Sequence, residues 1–188
     1  DALWRMPVAC ALAAEMIAIQ TGQDRDVAYT VGLLHALGMV AIDDWSLRHL
    51  PGLQLGGSGF PLEAVDSERA TLGFTQADIG AALLQHWEFP HSMCEPVRWQ
   101  YAPRACAAHT RMACLLHGAK WLRSTVCGME HLPQPADSIM QMIPLRFDAL
   151  PMMAAKVSQR LAEITSSLDV GRSMAPQIPR FPSSGLYH

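Results

Sequence analysis

The sequence predicts an all-α fold, and three observations say so. Apolar residues recur at steps of three and four through most of the chain. Alternating apolar–polar runs never exceed a few residues, so no strand pattern competes. Half of the 188 residues are hydrophobic and only 16% are charged, enough apolar material for one domain's core.

The elements follow in order. Val8, Leu12, Met16 and Ile19 form one helical face. Pro7 fits that helix's first turn, and Gly22 ends it. A second helix is expected from about Asp24 to Ile42, with Val27, Val31, Leu34 and Gly38 on one stripe. Asp24 and Asp26 stand at its start, where the helix dipole favours them. A turn-rich loop runs from Leu55 to Pro61, and a short helix covers Leu62 to Leu72. Thr75 with Asp78 is a capping-box variant that opens a helix through Ile79, Leu83 and Trp87 to Phe89-Pro90. His91 to Tyr101 is expected to be helical, with Pro96 near a start or at a kink. Pro103 opens a long helix to about Thr125, and Gly128, Pro133 and Pro135 break the chain.

The last helix spans about Asp148 to Leu168. Leu150, Met153, Val157, Leu161, Ile164 and Leu168 are spaced close to a heptad. Packing on the domain explains the stripe, and a dimer or partner seam is the alternative. The domain therefore spans residues 1–170, followed by a Pro- and Ser-rich tail at 171–188. The chain opens on Asp1 rather than Met, so it is expected to be a piece of something longer.

Charge and composition narrow the function. A net charge of −3 offers no broad basic surface, so no nucleic-acid partner is expected. The most apolar stretch, Val8 to Ile19, carries Glu15 and falls short of the about 20 residues a membrane span needs. No membrane insertion and no signal peptide are expected. Five cysteines without a C-x-x-C pair read as buried free thiols in a reducing cytoplasm.

Chemical motifs are few. Cys106-x2-His109 and Cys114-x2-His117 look like a doubled metal motif, but both fall in one predicted helix. Its ends would lie roughly 16 Å apart at about 1.5 Å per residue. A zinc site needs its ligands about 2.0–2.3 Å from the metal. Gly57-Ser58-Gly59 is no nucleophile elbow, and no P-loop lysine follows the glycines. Glu63, Asp66 and Glu68 read as a solvated helix start rather than a catalytic pair. His35 stands alone in Leu33-Leu34-His35-Ala36-Leu37-Gly38, the ordinary setting of a satisfied core histidine.

Two groups of residues point further. One is Leu3-Trp4-Arg5, the Ala-rich helix after it, and Val31-Gly32-Leu33-Leu34-His35-Ala36-Leu37-Gly38. The other is Glu68, Leu72-Gly73, Ile79-Gly80-Ala81, Leu83-Leu84 and Trp87-Glu88-Phe89-Pro90. Together they resemble the HDOD domain family over about residues 2 to 125. The resemblance implies an HDOD/HD-like helical bundle related to the HD metal-dependent phosphohydrolases. It implies a bacterial signalling module, often joined to receiver, GGDEF or EAL domains, and a preceding set of helices that these residues do not contain.

An active HD site takes a His, an adjacent His-Asp pair and a later Asp, because imidazoles and carboxylates supply lone pairs and compensating charge. By the resemblance these positions are Met6, then His35 and Ala36, then Lys120. A thioether suits a hard cation poorly, a methyl offers nothing, and an ammonium repels the ion. No metal, cofactor or catalytic residue is expected. The family's His in the Thr75 helix is Gln76 here, and its His pair before the long helix is Gln100-Tyr101.

The expectation is a non-catalytic module acting by protein–protein contact, with the Leu150–Leu168 helix and the tail as candidate surfaces and homodimerisation open. A metal-dependent phosphohydrolase acting on a nucleotide such as a cyclic dinucleotide is the alternative. It would need His35 with further ligands such as His86, His91 or His109, and two carboxylates near His35 would favour it, though Asp43 and Asp44 lie at the far end of the predicted helix. A third reading is an anion or nucleotide sensor using Lys120, whose plain alternative is an exposed helix residue.

Overall fold

The computed structural model describes residues 2–49, 62–128, 134–145 and 147–174. Along it run α1 (Ala2–Thr21), α2 (Arg25–Leu34), α3 (Leu37–His49), α4 (Leu62–Leu72), α5 (Gln76–His86), α6 (His91–Arg98), α7 (Thr110–Cys127), α8 (Asp137–Met140) and α9 (Leu150–Met174). Single 3-10 turns precede α7 and α9, and no strand occurs among the described residues. The all-α expectation holds. The Leu55–Pro61 loop and residues 175–188 of the tail lie outside the described residues.

α1 is the central helix. Ala9, Cys10, Ala11, Leu12, Ala13, Ala14, Ile17 and Ala18 are all buried, so it is covered on nearly every side. Its small residues let α2, α7 and α9 pack against it. Pro7 lies beyond the first turn, because the helix begins at Ala2 rather than at Pro7. Gly22 ends α1 as expected, at φ +66, a left-handed conformation open to glycine at little cost.

The expected Asp24–Ile42 helix is two helices. It breaks at His35–Ala36, and α3 continues to His49. Asp24 caps α2 through Oδ1, which accepts from the Asp26 and Val27 N–H groups. Taken as one run, Arg25–His49 is long and apolar enough to cross a membrane by length and composition, a stretch longer than the Val8–Ile19 segment singled out in the sequence. Its apolar character has another use in the bundle, where α2 packs on α1, α6 and α7 and α3 packs on α5.

α5 starts on the expected capping box. Thr75 Oγ1 accepts from the Asp78 N–H, and Asp78 Oδ2 accepts from the Thr75 N–H at 3.0 Å. α6 ends at Arg98, three residues early, with Pro96 inside it and buried beside Cys94 and Val97. The long helix starts at Thr110, not Pro103, so Cys106 and His109 precede it. α9 lays Met153, Val157 and Leu161 into the core against α1 and α7. At these three positions its heptad-like stripe is occupied within the domain, the packing expected of it. The helix also runs through the expected boundary at 170 to Met174.

Candidate functional site

The break between α2 and α3 places His35 in the interior, 1% exposed. Its imidazole Nδ1 lies 2.6 Å from the Gly32 carbonyl oxygen, and its Nε2 lies 2.9 Å from Arg123 Nη1 on α7. A guanidinium can only donate, so Nε2 accepts and Nδ1 carries the proton to Gly32. His35 is thus neutral. Burial holds its pKa well below the ordinary histidine value, the Arg123 and Lys120 charges push the same way, and the Gly32 bond opposes them.

Gln100 completes the cluster. Its Nε2 donates to the His35 carbonyl at 3.1 Å and to the Val97 carbonyl at 3.0 Å. Its Oε1 accepts from Lys120 Nζ at 2.9 Å. The same ammonium sits 3.4 Å from the centroid of the Tyr101 ring, a cation–π distance. His117 Nδ1 donates to the Gln100 carbonyl at 3.0 Å. Lys120 is 2% exposed, so the expectation of an exposed helix residue is corrected. Burial and then Arg123 lower its pKa well below the usual lysine value. Burial likewise raises Tyr101, whose hydroxyl has no hydrogen-bond partner among the described residues.

Of the four HD-type positions, His35 and Lys120 meet in this cluster through Gln100. Ala36 is buried at the break, and Met6 is half-buried on α1. His35 Nε2, the lone pair a metal would need, faces a guanidinium, and the neighbouring cation is Lys120. These residues do not fit a divalent ion. Among the described residues no three His, Cys, Asp or Glu side chains stand close enough to hold one. His86 and His91 are exposed and His109 is half-buried before α7. Asp43 and Asp44 lie on α3, where the charge of Asp43 acts on Glu68 and Asp44 pairs with Arg48 at 2.7 Å.

Two residues took on roles the sequence did not suggest. Arg123 is buried as deeply as His35. A second basic residue three positions after Lys120, inside an apolar helix, was the available signal. Glu68 is not part of a solvated helix start. It is buried, and its two oxygens accept from the Gln76 N–H at 2.7 Å and from Gln76 Nε2 at 3.1 Å. It thereby ties α4 to the first turn of α5. Burial raises its pKa, the Gln76 bonds lower it, and the charges of Asp43 and Asp78 raise it.

The HDOD domain family matches residues 1–103, which carry α1 to α6 and the Gln100–Tyr101 corner. The chain belongs to the HDOD domain family. The match ends before α7, so Lys120 and Arg123 lie outside it. Solved structures extend the HDOD likeness further along the chain. A candidate signal transduction protein from Marinobacter aquaeolei is 21% identical with a TM-score of 0.69, over 87% of this chain and 38% of that one. A candidate phosphohydrolase from Shewanella amazonensis is 21% identical with a TM-score of 0.59, over 84% and 59%. MmoQ response regulator from Methylococcus capsulatus is 20% identical with a TM-score of 0.57, over 81% and 59%. At such identities the likeness shows the fold, and this HDOD chain spans well under two thirds of each solved chain. No curated protein matches the sequence.

Proposed function

We propose that this HDOD chain is a non-catalytic module of bacterial signal transduction that acts through protein–protein contact. The Arg123–His35 hydrogen bond carries the reading. An HD-type phosphohydrolase spends imidazole and carboxylate lone pairs on a metal, and that metal supplies the electrophile. Here the imidazole lone pair is spent on a guanidinium, and Lys120 Nζ donates to Gln100 nearby. The guanidinium would repel a divalent ion. The fold shared with a response regulator and with a candidate signal transduction protein is consistent with this role. A receiver, GGDEF or EAL domain is the kind of partner proposed, and the cytoplasm is the compartment.

The test is elemental mass spectrometry on protein purified without chelator, beside phosphoester hydrolysis with added manganese. No stoichiometric metal and no hydrolysis are expected. About one metal per chain, lost in His35→Ala and proportional to activity, would overturn the proposal in favour of a phosphohydrolase.

A further inference from the structure

The break between α2 and α3 carries neither proline nor glycine at His35–Ala36. Its cause lies in where the carbonyls go. In a continuous helix the Gly32 carbonyl would accept from the Ala36 N–H, and the His35 carbonyl from the Met39 N–H. Here the Gly32 carbonyl accepts from the His35 imidazole, and the His35 carbonyl accepts from Gln100. The Met39 N–H turns to the Ala36 carbonyl instead, at 3.1 Å. Arg123 holds the imidazole in place, and Lys120 holds Gln100. Two side chains of α7 therefore act on one break.

α3 is held along a single stripe, against a single main neighbour. Only Gly38, Ile42 and Ser46 are buried on it, one residue per turn, whereas α1 is buried on nearly every side. Its main helical neighbour is α5, where Gly38 lies against the backbone of Gln76 and Gly80. Elements with few buried contacts open at lower free energy than the core.

We infer that the His35–Ala36 break is a conformational latch: α7, through Arg123 on the imidazole and Lys120 on Gln100, holds the chain bent so that α3 stays on α5. Released from it, α3 leaves α5 as a unit while α1, α2 and α7 keep their packing. The latch does not depend on the signalling role, and its test does not measure signalling.

Hydrogen exchange followed by mass spectrometry tests it on the intact chain. In Gln100→Leu and Lys120→Met, amides of residues 37–49 should exchange at least about tenfold faster, while those of 9–18 and 113–124 keep wild-type protection. Unchanged protection in α3 would overturn the inference, and so would equal loss in all three segments, which marks a merely structural role. Should both variants fail to fold, wild-type exchange in low denaturant decides. α3 opening before α1 and α7 supports the latch, and opening only with the global transition refutes it.

Discussion

Arg123 Nη1 on α7 donates to His35 Nε2 at 2.9 Å, joining residues 88 positions apart in the interior of the bundle. The bond fixes the tautomer of His35, whose other nitrogen donates to Gly32. It also joins α7 to the corner between α2 and α3. The energetics of the corner should therefore be cooperative.

Arg123→Met should cost about 1–3 kcal/mol, because it leaves the buried His35 Nε2 without this donor. His35→Leu should cost a similar amount by removing a buried acceptor of the guanidinium. The double variant should be less damaging than the sum, with a coupling of about 0.5–3 kcal/mol. Urea unfolding of the four proteins measures the cycle. Strict additivity would mean that the bond contributes nothing of its own.

Stability should fall as pH drops below about 6.5, the ordinary histidine value. The folded pKa of His35 is depressed, so the unfolded chain binds the proton first. The neutral side chain's contribution is present above the unfolded value and is lost progressively down to the folded one. One such proton gives a slope of about 1.4 kcal/mol per pH unit. His117, also lowered by burial, adds in the same direction. Lys120 has the same sign higher up, its stability contribution rising with pH toward the ordinary lysine value. Denaturant midpoints between pH 5 and 7 should rise steeply in wild type and less so in His35→Gln.

The main helices were legible in the sequence because local signals mark them. The Thr75–Asp78 box, Gly22 and the stripe at Met153, Val157 and Leu161 all landed where expected. The break at His35 was not legible, because its causes sit 65 and 88 residues away, at Gln100 and Arg123. By local composition the segment remains one apolar helix. Lys120 and Glu68 were misjudged for a related reason. A charged residue is ordinarily exposed, and only the folded neighbours, Gln100 with Tyr101 and Gln76, accommodate these two inside.

Gly38→Ala should destabilise by about 1–3 kcal/mol, through overpacking. An added Cβ would meet the Gln76 carbonyl oxygen at 1.8 Å and the Gly80 nitrogen at 2.6 Å, both backbone atoms that cannot rotate away. Gly118→Ala is the control. There the nearest atom is Ile143 Cδ1 at 3.0 Å, the end of a flexible side chain. Thermal unfolding of the two variants should separate them clearly, and equal losses would show that α3 does not rest on α5 through Gly38.

Leu161→Ala should cost about 2–5 kcal/mol, the usual range for a buried leucine, while Met152→Ala, on the exposed face, should stay within about 0.5 kcal/mol of wild type. The distinction follows from where the α9 stripe goes. Leu161 is buried with Met153 and Val157 in the core shared with α1 and α7, and Met152 is 54% exposed. Arg160 adds an ion pair to Glu15 of α1 at 2.5 Å, which keeps the same face turned inward. Were the stripe a dimer seam, Leu161→Ala would weaken association, and the unfolding midpoint of wild type would rise with protein concentration. With the stripe packed inside the chain, the Leu161→Ala loss should be the same at every concentration. Chemical denaturation over a hundredfold range of protein concentration distinguishes the two.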